Sequence, residues 1–352
     1  MNWRVLLPFL GLLSWVAMAD DTTSAPTGLQ DNVVFSRYAD LSGSAELLRR
    51  LVSPLNARRL RQQASGAGLR EQAIDLAQER FALYVPAQPP PAGYAVLVFV
   101  PPWHKAKVPP AWTATLDRHG VILVTAANAG NDANPLDRRE PLALLAAINV
   151  MARYRVDPQR IYIGGFSGGS RVALRLAIGY PDLFRGVLLN AGSDTVGDTI
   201  PLPPEPLMAR FQEGTRLVFV TGERDTPRQD ADRQSRQSLR DACVTDIDTL
   251  SMAWTGHQLA DASSLDRALI SLDKHRNDDA AALAACRARI EHDLAAQLDK
   301  AEALLNGGKT DDALRLLQAI DTRYGGLAAP RSVALAERLL ALPAGDAGTP
   351  PH

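Results

Sequence analysis

Apolar residues between positions 80 and 273 of the chain fall into two alternating patterns. Short unbroken apolar runs are typical of strands that are covered on both faces. Longer segments, in which apolar residues return every three or four positions, are typical of helices. The predicted strands are 80–85, 94–100, 120–125, 160–163, 186–190, 216–220 and 248–254, and the predicted helices are 141–154, 171–180 and 261–273. This alternation predicts an α/β fold with a mostly parallel sheet and helices on both faces.

Residues 1–19 have the pattern of a signal peptide. One positive charge at Arg4 precedes an apolar run over residues 5–16, and Ala17 and Ala19 supply small residues for cleavage after position 19. An uncleaved anchor helix is the alternative. No later apolar run approaches the roughly 20 residues that span a bilayer, so we expect no membrane span after cleavage. The pattern predicts a periplasmic or secreted protein.

Residues 20–70 are expected to form an N-terminal helical extension. Residues 20–31 are polar and show no periodicity, so we expect no regular structure there. Over residues 44–64, leucines recur at helical spacing among arginines, which predicts one or two amphipathic helices interrupted near Pro54.

The chain after residue 276 carries no strand pattern. Its apolar residues predict helices over 280–305, 310–323 and 330–340, and pairs of glycines end the first two. The spacing resembles one tetratricopeptide-like unit, but a solenoid needs about three or more repeats. We therefore expect a helical extension over residues 276–342, which could bind a protein partner, and a flexible tail over 343–352.

Composition and charge exclude several classes of protein. The 352 residues are 46% hydrophobic and 22% charged, as in a globular protein, and the net charge is −1. Without a basic excess or a polybasic run, we expect neither nucleic acid nor an anionic membrane as partner. Cys243 and Cys286 have no metal-ligand spacing, so no metal is expected, and a disulfide between them is permitted outside the cytoplasm.

The segment Gly165-Phe166-Ser167-Gly168-Gly169 follows one predicted strand directly and precedes a helix. A Gly-x-Ser-x-Gly sequence in this strand–turn–helix context is typical of a nucleophile elbow, where the turn is too tight for side chains at the glycine positions. Ser167 is therefore the candidate nucleophile. An ordinary glycine-rich turn between a strand and a helix is the alternative.

A serine nucleophile needs a histidine base, and the base needs a carboxylate that orients it. His257 follows a predicted strand and precedes a helix, whereas His275, His292 and His352 lie in polar helical segments or at the chain end. Asp225 follows the strand 216–220 and is the first choice of acid, with Glu223 as its rival. Asp230 lies in a charged run and Asp248 inside the next strand, which makes both weaker choices. No cofactor is implied.

The oxyanion of an acyl-transfer reaction needs two backbone N–H donors. Gly168 is expected to supply one. The loop after residue 100 is expected to supply the other, and since prolines have no N–H, the donor is Trp103 or His104. Trp103 is equally well explained as an aromatic residue on the rim, and His104 is better explained as a rim residue than as a second base. We also place Trp254 in the substrate-binding region.

Several segments resemble the extracellular esterase branch of the α/β-hydrolases, which includes polyhydroxybutyrate depolymerase-like and feruloyl esterase-like enzymes. The segments are 154–169, Tyr180-Pro181-Asp182-Leu183-Phe184, Asn190-Ala191-Gly192, Gly222 with Asp225, and Gly256-His257. The resemblance covers about residues 75–273 and implies an α/β-hydrolase catalytic domain over 71–275. It further implies hydrolysis of small or polymeric esters. The residue after the nucleophile is Gly168, where Ala is more usual.

Two other functions are compatible with parts of this pattern. A peptidase of the prolyl-oligopeptidase-like kind would share the triad, although no propeller-sized segment precedes the predicted core. A non-catalytic interaction protein that uses the C-terminal helices would be expected to have an incomplete triad. Because Ser167, Asp225 and His257 follow one another in the order typical of this fold, we favour a serine esterase.

Overall fold

The computed structural model describes residues 25–64, 70–274 and 279–341. The predicted signal peptide (1–19), the predicted tail (343–352) and His275 lie outside the described residues. Among the described residues, no helix is long and apolar enough to cross a membrane.

The described residues form one mostly parallel sheet of eight strands. The strands are β1 (Gly28–Val33), β2 (Phe81–Val85), β3 (Tyr94–Val100), β4 (Val121–Ala126), β5 (Val156–Phe166), β6 (Gly186–Asn190), β7 (Arg216–Gly222) and β8 (Ile247–Met252). Their spatial order is β1-β2-β4-β3-β5-β6-β7-β8. Strands β3 to β8 run parallel, and β1 and β2 pair antiparallel. The predicted α/β fold class, a mostly parallel sheet with flanking helices and a helical C-terminal part, is confirmed.

Helices cover both faces of this sheet. The helices are α1 (Ser44–Leu51), α2 (Pro54–Gln63), α3 (Thr113–His119), α4 (Glu140–Arg153), α5 (Gly168–Gly179), α6 (Glu205–Gly214), α7 (Thr226–Asp241), α8 (Ala262–Leu272), α9 (Ala280–Asn306), α10 (Thr310–Tyr324) and α11 (Arg331–Ala341). Val96 and Val98 of β3 pack into a core with α4 and α5, and Leu97 and Phe99 pack into a second core with α3 and α8. Burial on both faces explains the unbroken apolar run of β3.

The structure corrects the expectation for residues 20–31. Gly28, Leu29 and Gln30 pair with the edge of β2, so part of the N-terminal extension is a strand rather than helix or irregular chain. Residues of β1 are half-buried or exposed, because the strand lies at the edge of the sheet. An edge strand without a buried face has no alternating apolar pattern, which is why the sequence did not reveal it.

The C-terminal helices α9, α10 and α11 enclose a small apolar core of their own. Polar contacts tie them to the rest of the chain. The buried carboxylate of Asp321 on α10 accepts hydrogen bonds from Ser53 Oγ (2.6 Å) and from the N–H of Leu55 (3.0 Å). Cys286 on α9 forms a disulfide with Cys243, which follows α7. The permitted disulfide is therefore present.

Candidate active site

Ser167 lies in the turn between β5 and α5 with its backbone in an unfavourable conformation. Its φ of 54° and ψ of −121° are costly for a residue with a Cβ atom. Two glycines make the turn possible: a Cβ atom on Gly165 would lie 2.3 Å from the carbonyl carbon of Gly169, and one on Gly169 would lie 1.9 Å from the carbonyl oxygen of Val100. The strand–turn–helix geometry predicted for this segment is present.

The structure brings Ser167, His257 and Asp225 into one hydrogen-bonded chain. His257 Nε2 lies 2.9 Å from Ser167 Oγ, and His257 Nδ1 lies 2.7 Å from Asp225 Oδ2. Asp225 is buried, whereas the side chain of His257 is 39% exposed. The buried Asp225 carboxylate therefore orients the imidazole through Nδ1, while part of the ring remains exposed to solvent.

The other candidate residues lie elsewhere. Glu223 is exposed and accepts a hydrogen bond from the N–H of Trp254 (3.0 Å). Asp230 is exposed on α7 and forms an ion pair with Arg233. Asp248 accepts a hydrogen bond from Ser271 Oγ (2.6 Å). His292 is exposed on α9, and His352 lies outside the described residues.

The turn that carries Asp225 packs directly on the turn that carries His257. The N–H of Arg224 donates to the carbonyl of Thr255 (2.8 Å). A Cβ atom on Gly222 would lie 2.3 Å from the carbonyl oxygen of Gly256, so a larger residue would separate the two turns. Gly222 thereby allows the carboxylate and the imidazole to meet.

Asn190, at the end of β6, holds the segment 258–260, which follows His257, through hydrogen bonds from its buried side chain. Its buried side chain donates from Nδ2 to the carbonyls of Val220 (3.0 Å) and Gln258 (3.3 Å). Its Oδ1 accepts from the N–H of Ala260 (2.7 Å). In the sequence, Asn190 stands out only as part of the resemblance, because its partners lie 30 to 70 positions away.

A second buried carboxylate lies behind Asp225. Asp232 on α7 accepts hydrogen bonds from Ser193 Oγ (2.6 Å) and Thr221 Oγ1 (2.5 Å). Burial raises the pKa of Asp232, and the negative charge of Asp225 acts in the same direction. Asp232 joins the loop after β6 to the end of β7. The sequence did not identify it, because α7 reads as a uniformly charged segment.

The turn after β3 lies against the start of α5, where the proposed oxyanion donors are found. Pro101 and Pro102 have no N–H. The backbone N–H groups of Trp103 and Gly168 donate to no acceptor in the described ranges of the chain. Both groups are therefore unpaired among the described residues.

Buried Arg139, which lies just before α4, holds this turn and the neighbouring loop in place. Its guanidinium donates from Nε to the carbonyl of Ala129 (2.9 Å) and from Nη2 to the carbonyl of Pro101 (3.0 Å). Burial lowers the pKa of Arg139, while Glu140 and Asp132 favour its charged form. Sequence reasoning missed Arg139, since a charged residue next to a predicted helix is usually solvated.

Aromatic side chains line the space beside the imidazole. The Phe166 ring lies 5.0 Å from the His257 ring, and the Trp103 ring lies 6.3 Å from the Phe166 ring. Trp254 is 76% exposed, and the Arg224 guanidinium lies over its ring at 5.3 Å. His104 is exposed and lies 3.1 Å from Asp132. Phe166 was not among the predicted site residues, although its place before Ser167 in the elbow could have indicated it.

In the part of the chain that the structure describes, no group of three or more His, Cys, Asp or Glu side chains could hold a metal ion.

Comparisons with known proteins find limited similarity. No protein-family model matches the chain. A candidate esterase of Nocardia uniformis subsp. tsuyamanensis, NocK, is 37% identical over 79 residues, which is 21% of this chain and 23% of that protein. The chain thus matches less than a quarter of the length of this curated relative.

Solved structures with similar folds include three hydrolases at low identity. A ferulic acid esterase is 18% identical, with 54% of this chain and 88% of that chain covered and a TM-score of 0.40. An esterase of the archaeon Pyrobaculum calidifontis is 12% identical, with 55% and 80% covered and a TM-score of 0.42. An S-formylglutathione hydrolase of Staphylococcus aureus is 11% identical, with 55% and 92% covered and a TM-score of 0.42.

Proposed function

We propose that the protein is a serine hydrolase of carboxylic esters that reacts through an acyl-enzyme. The observation that carries this proposal is the chain of two hydrogen bonds from Asp225 through His257 to Ser167, at 2.7 and 2.9 Å. A serine in a strained elbow, a base within hydrogen-bond distance and an orienting carboxylate are the parts that nucleophilic catalysis by serine requires.

In the first half of the reaction, Ser167 Oγ attacks the ester carbonyl while His257 Nε2 takes its proton. Asp225 keeps the Nδ1 proton of His257 in place and stabilises the imidazolium that forms. The carbonyl oxygen becomes negative in the tetrahedral intermediate. The free N–H groups of Gly168 and Trp103 supply its hydrogen bonds, which are stronger to the charged oxygen than to the neutral one.

The imidazolium of His257 then donates its proton to the leaving alcohol, and the acyl group remains on Ser167. Water enters as the second nucleophile, and His257 takes a proton from it. The resulting intermediate collapses to release the acid and restore Ser167. The Phe166 ring beside His257 and the Trp103 ring beside Phe166 favour an apolar acyl or alcohol group. Trp254 and His104 are the proposed residues at the rim.

Esters are the proposed substrates, and a peptidase of the prolyl-oligopeptidase-like kind is the alternative that a substrate panel separates. The polyhydroxybutyrate depolymerase-like or feruloyl esterase-like branch remains part of this proposal. Small esters and polymeric esters are both included in it, and kinetics on the two kinds of substrate separate them.

The test is a substrate panel with the purified full-length protein. We expect hydrolysis of p-nitrophenyl acetate and butyrate with a burst of nitrophenol stoichiometric with enzyme, since an acyl-enzyme accumulates when its hydrolysis is slow. Aminoacyl p-nitroanilides should be poor substrates. Turnover of the anilides with a kcat/KM equal to that of the esters would favour the peptidase alternative, and no turnover of any ester would contradict the proposal.

The proposal includes export, which depends on the pattern of residues 1–19. Expression with the native N-terminus in a Gram-negative host should yield a mature protein that begins at Asp20 and is released with the periplasmic fraction. N-terminal sequencing that finds Met1 on membrane-bound protein would favour the uncleaved anchor instead.

A further inference from the structure

A polar side chain that the triad does not use lies against the first residue of α5. Asn131 belongs to the loop after β4, and its carboxamide packs over Gly168. Asn131 Oδ1 lies 2.2 Å and Nδ2 lies 3.1 Å from the point that a Cβ atom of residue 168 would occupy. Within the described ranges, the exposed Asn131 carboxamide has no hydrogen-bond partner. It therefore has an unpaired Nδ2 donor beside residue 168, with Oδ1 nearer to that residue.

The backbone of this loop is held against the same turn that carries Trp103. The N–H of Asn131 donates to the carbonyl of Pro102 (3.1 Å). A Cβ atom on Gly130 would lie 3.1 Å from the carbonyl carbon of Trp103, so the two segments touch. Arg139 bridges the carbonyls of Ala129 and Pro101. Asn131 is thus placed by the same contacts that place the N–H of Trp103.

We propose that the Asn131 carboxamide is a third donor to the oxyanion, and that residue 168 is glycine because a Cβ atom there would displace it. The inference rests on the proposed function. A carboxamide turns about its terminal bond, so its NH₂ group can face the oxyanion while its oxygen faces solvent. A donor that is already in place stabilises the transition state most when it faces the oxygen atom on which negative charge develops. Removal of one side-chain donor of this kind typically lowers kcat about 10²–10³-fold.

The first test compares Asn131→Ala and Asn131→Asp with a matched control, Asn134→Asp. Asn134 is exposed three positions along the same loop, and its side-chain oxygen caps the N–H of Asp137, which Asp retains. With p-nitrophenyl acetate, Asn131→Ala should lower kcat about 10²-fold with KM changed less than about threefold. Asn131→Asp should lower kcat further, because a carboxylate repels the oxyanion. Asn134→Asp should leave kcat unchanged.

The second test is a double-mutant cycle with Gly168→Ala. This change retains the N–H of residue 168 but places a methyl group where the carboxamide lies. It should lower kcat in the wild-type background and have little further effect in Asn131→Ala, because both changes remove the same interaction. Circular dichroism and the thermal midpoint of each variant show that folded molecules are compared.

The outcomes separate this inference from the proposed function. Wild-type turnover with a burst, together with an unchanged kcat in Asn131→Ala, would overturn the inference and leave the function standing. An effect of Asn131→Ala on KM alone would overturn the inference as well. So would effects of Asn131→Ala and Gly168→Ala on kcat that are fully additive in the double variant. Absence of ester hydrolysis in the wild type would overturn both.

Discussion

At the carboxyl edge of the sheet, the loops that follow β3, β4, β5, β7 and β8 meet around Ser167, whereas the C-terminal helices meet the rest of the chain through ties to α2, to α6 and to Cys243 after α7. At the edge, glycines allow backbones to approach each other, and short hydrogen bonds join side chains that are 32 and 90 positions apart. The C-terminal helices have their own apolar core and are joined to the rest of the chain by Asp321, by the disulfide and by Arg287, whose guanidinium donates to Gln212 and Glu213 on α6. Changes at the edge should therefore alter turnover, and changes at the ties should alter stability.

The largest effect is expected for Ser167→Ala. Removal of the nucleophile should lower kcat for esters by about 10⁵–10⁶-fold, since the base and acid have no attacking oxygen to serve. The thermal midpoint should not fall, because loss of the side chain removes no buried apolar contact. A fluorophosphonate should label wild-type Ser167, as detected by mass spectrometry of the peptide. Labelling of the Ser167→Ala variant at another residue, with turnover retained, would contradict the assignment.

A smaller but still large loss is expected for Asp225→Asn. The amide can donate its NH₂ group to Nδ1 of His257, which favours the tautomer with the proton on Nε2, so kcat should fall about 10⁴-fold. Steady-state kinetics on p-nitrophenyl butyrate measure the change. Glu223→Gln is the matched control, because Glu223 lies in the same turn but contacts the N–H of Trp254 rather than the imidazole. If Glu223→Gln were the inactive variant, Asp225 would not be the acid.

At the ties, the double variant Cys243→Ser/Cys286→Ser should separate stability from turnover. The disulfide closes a loop of 43 positions between α7 and α9. Its loss should lower the free energy of unfolding by about 2–4 kcal/mol, as measured by urea denaturation. Turnover per folded molecule should stay within about twofold of the wild type, because neither cysteine touches the site. A loss of kcat at full folding would show that the C-terminal helices help to build the site.

The smallest effect is expected for Asp321→Asn, and it depends on pH. Burial raises the pKa of the Asp321 carboxyl, while the hydrogen bonds from Ser53 and Leu55 oppose that shift. A carboxyl whose pKa is higher in the folded state contributes its stability below the ordinary pKa of about 3.9 and loses it as pH rises through the folded value. The free energy of unfolding of the wild type should therefore fall relative to that of Asp321→Asn as the pH rises from 3.5 to 6.

Urea denaturation at both pH values measures this difference. The control is Asp311→Asn, since Asp311 is an exposed residue in the first turn of the same helix. The free energy of unfolding of this variant should change with pH as that of the wild type does. If the free energy of unfolding of the wild type instead rose relative to that of Asp321→Asn between pH 3.5 and 6, the raised pKa of Asp321 would be contradicted.

The sequence by itself determined the elements whose signals are local. A strand buried on both faces must be apolar at every position, so the runs that became β3 to β7 were visible without any partner. The elbow around Ser167 was visible for a similar reason: a tight turn excludes side chains, and Gly165 and Gly169 mark it. The C-terminal helices were also predicted, because each has one apolar face toward its own core.

Tertiary structure alone decided the features that depend on contacts between distant segments. Strand β1 exists because its backbone pairs with β2, a contact that leaves no apolar pattern. Asp225 and Glu223 stand two positions apart, and only the packing of Gly222 on Gly256 determines which carboxylate meets His257. Asn131, Arg139 and Asn190 act on loops that come from other strands. Their roles follow from where the folded backbone carries them, and no local preference of the chain encodes that position.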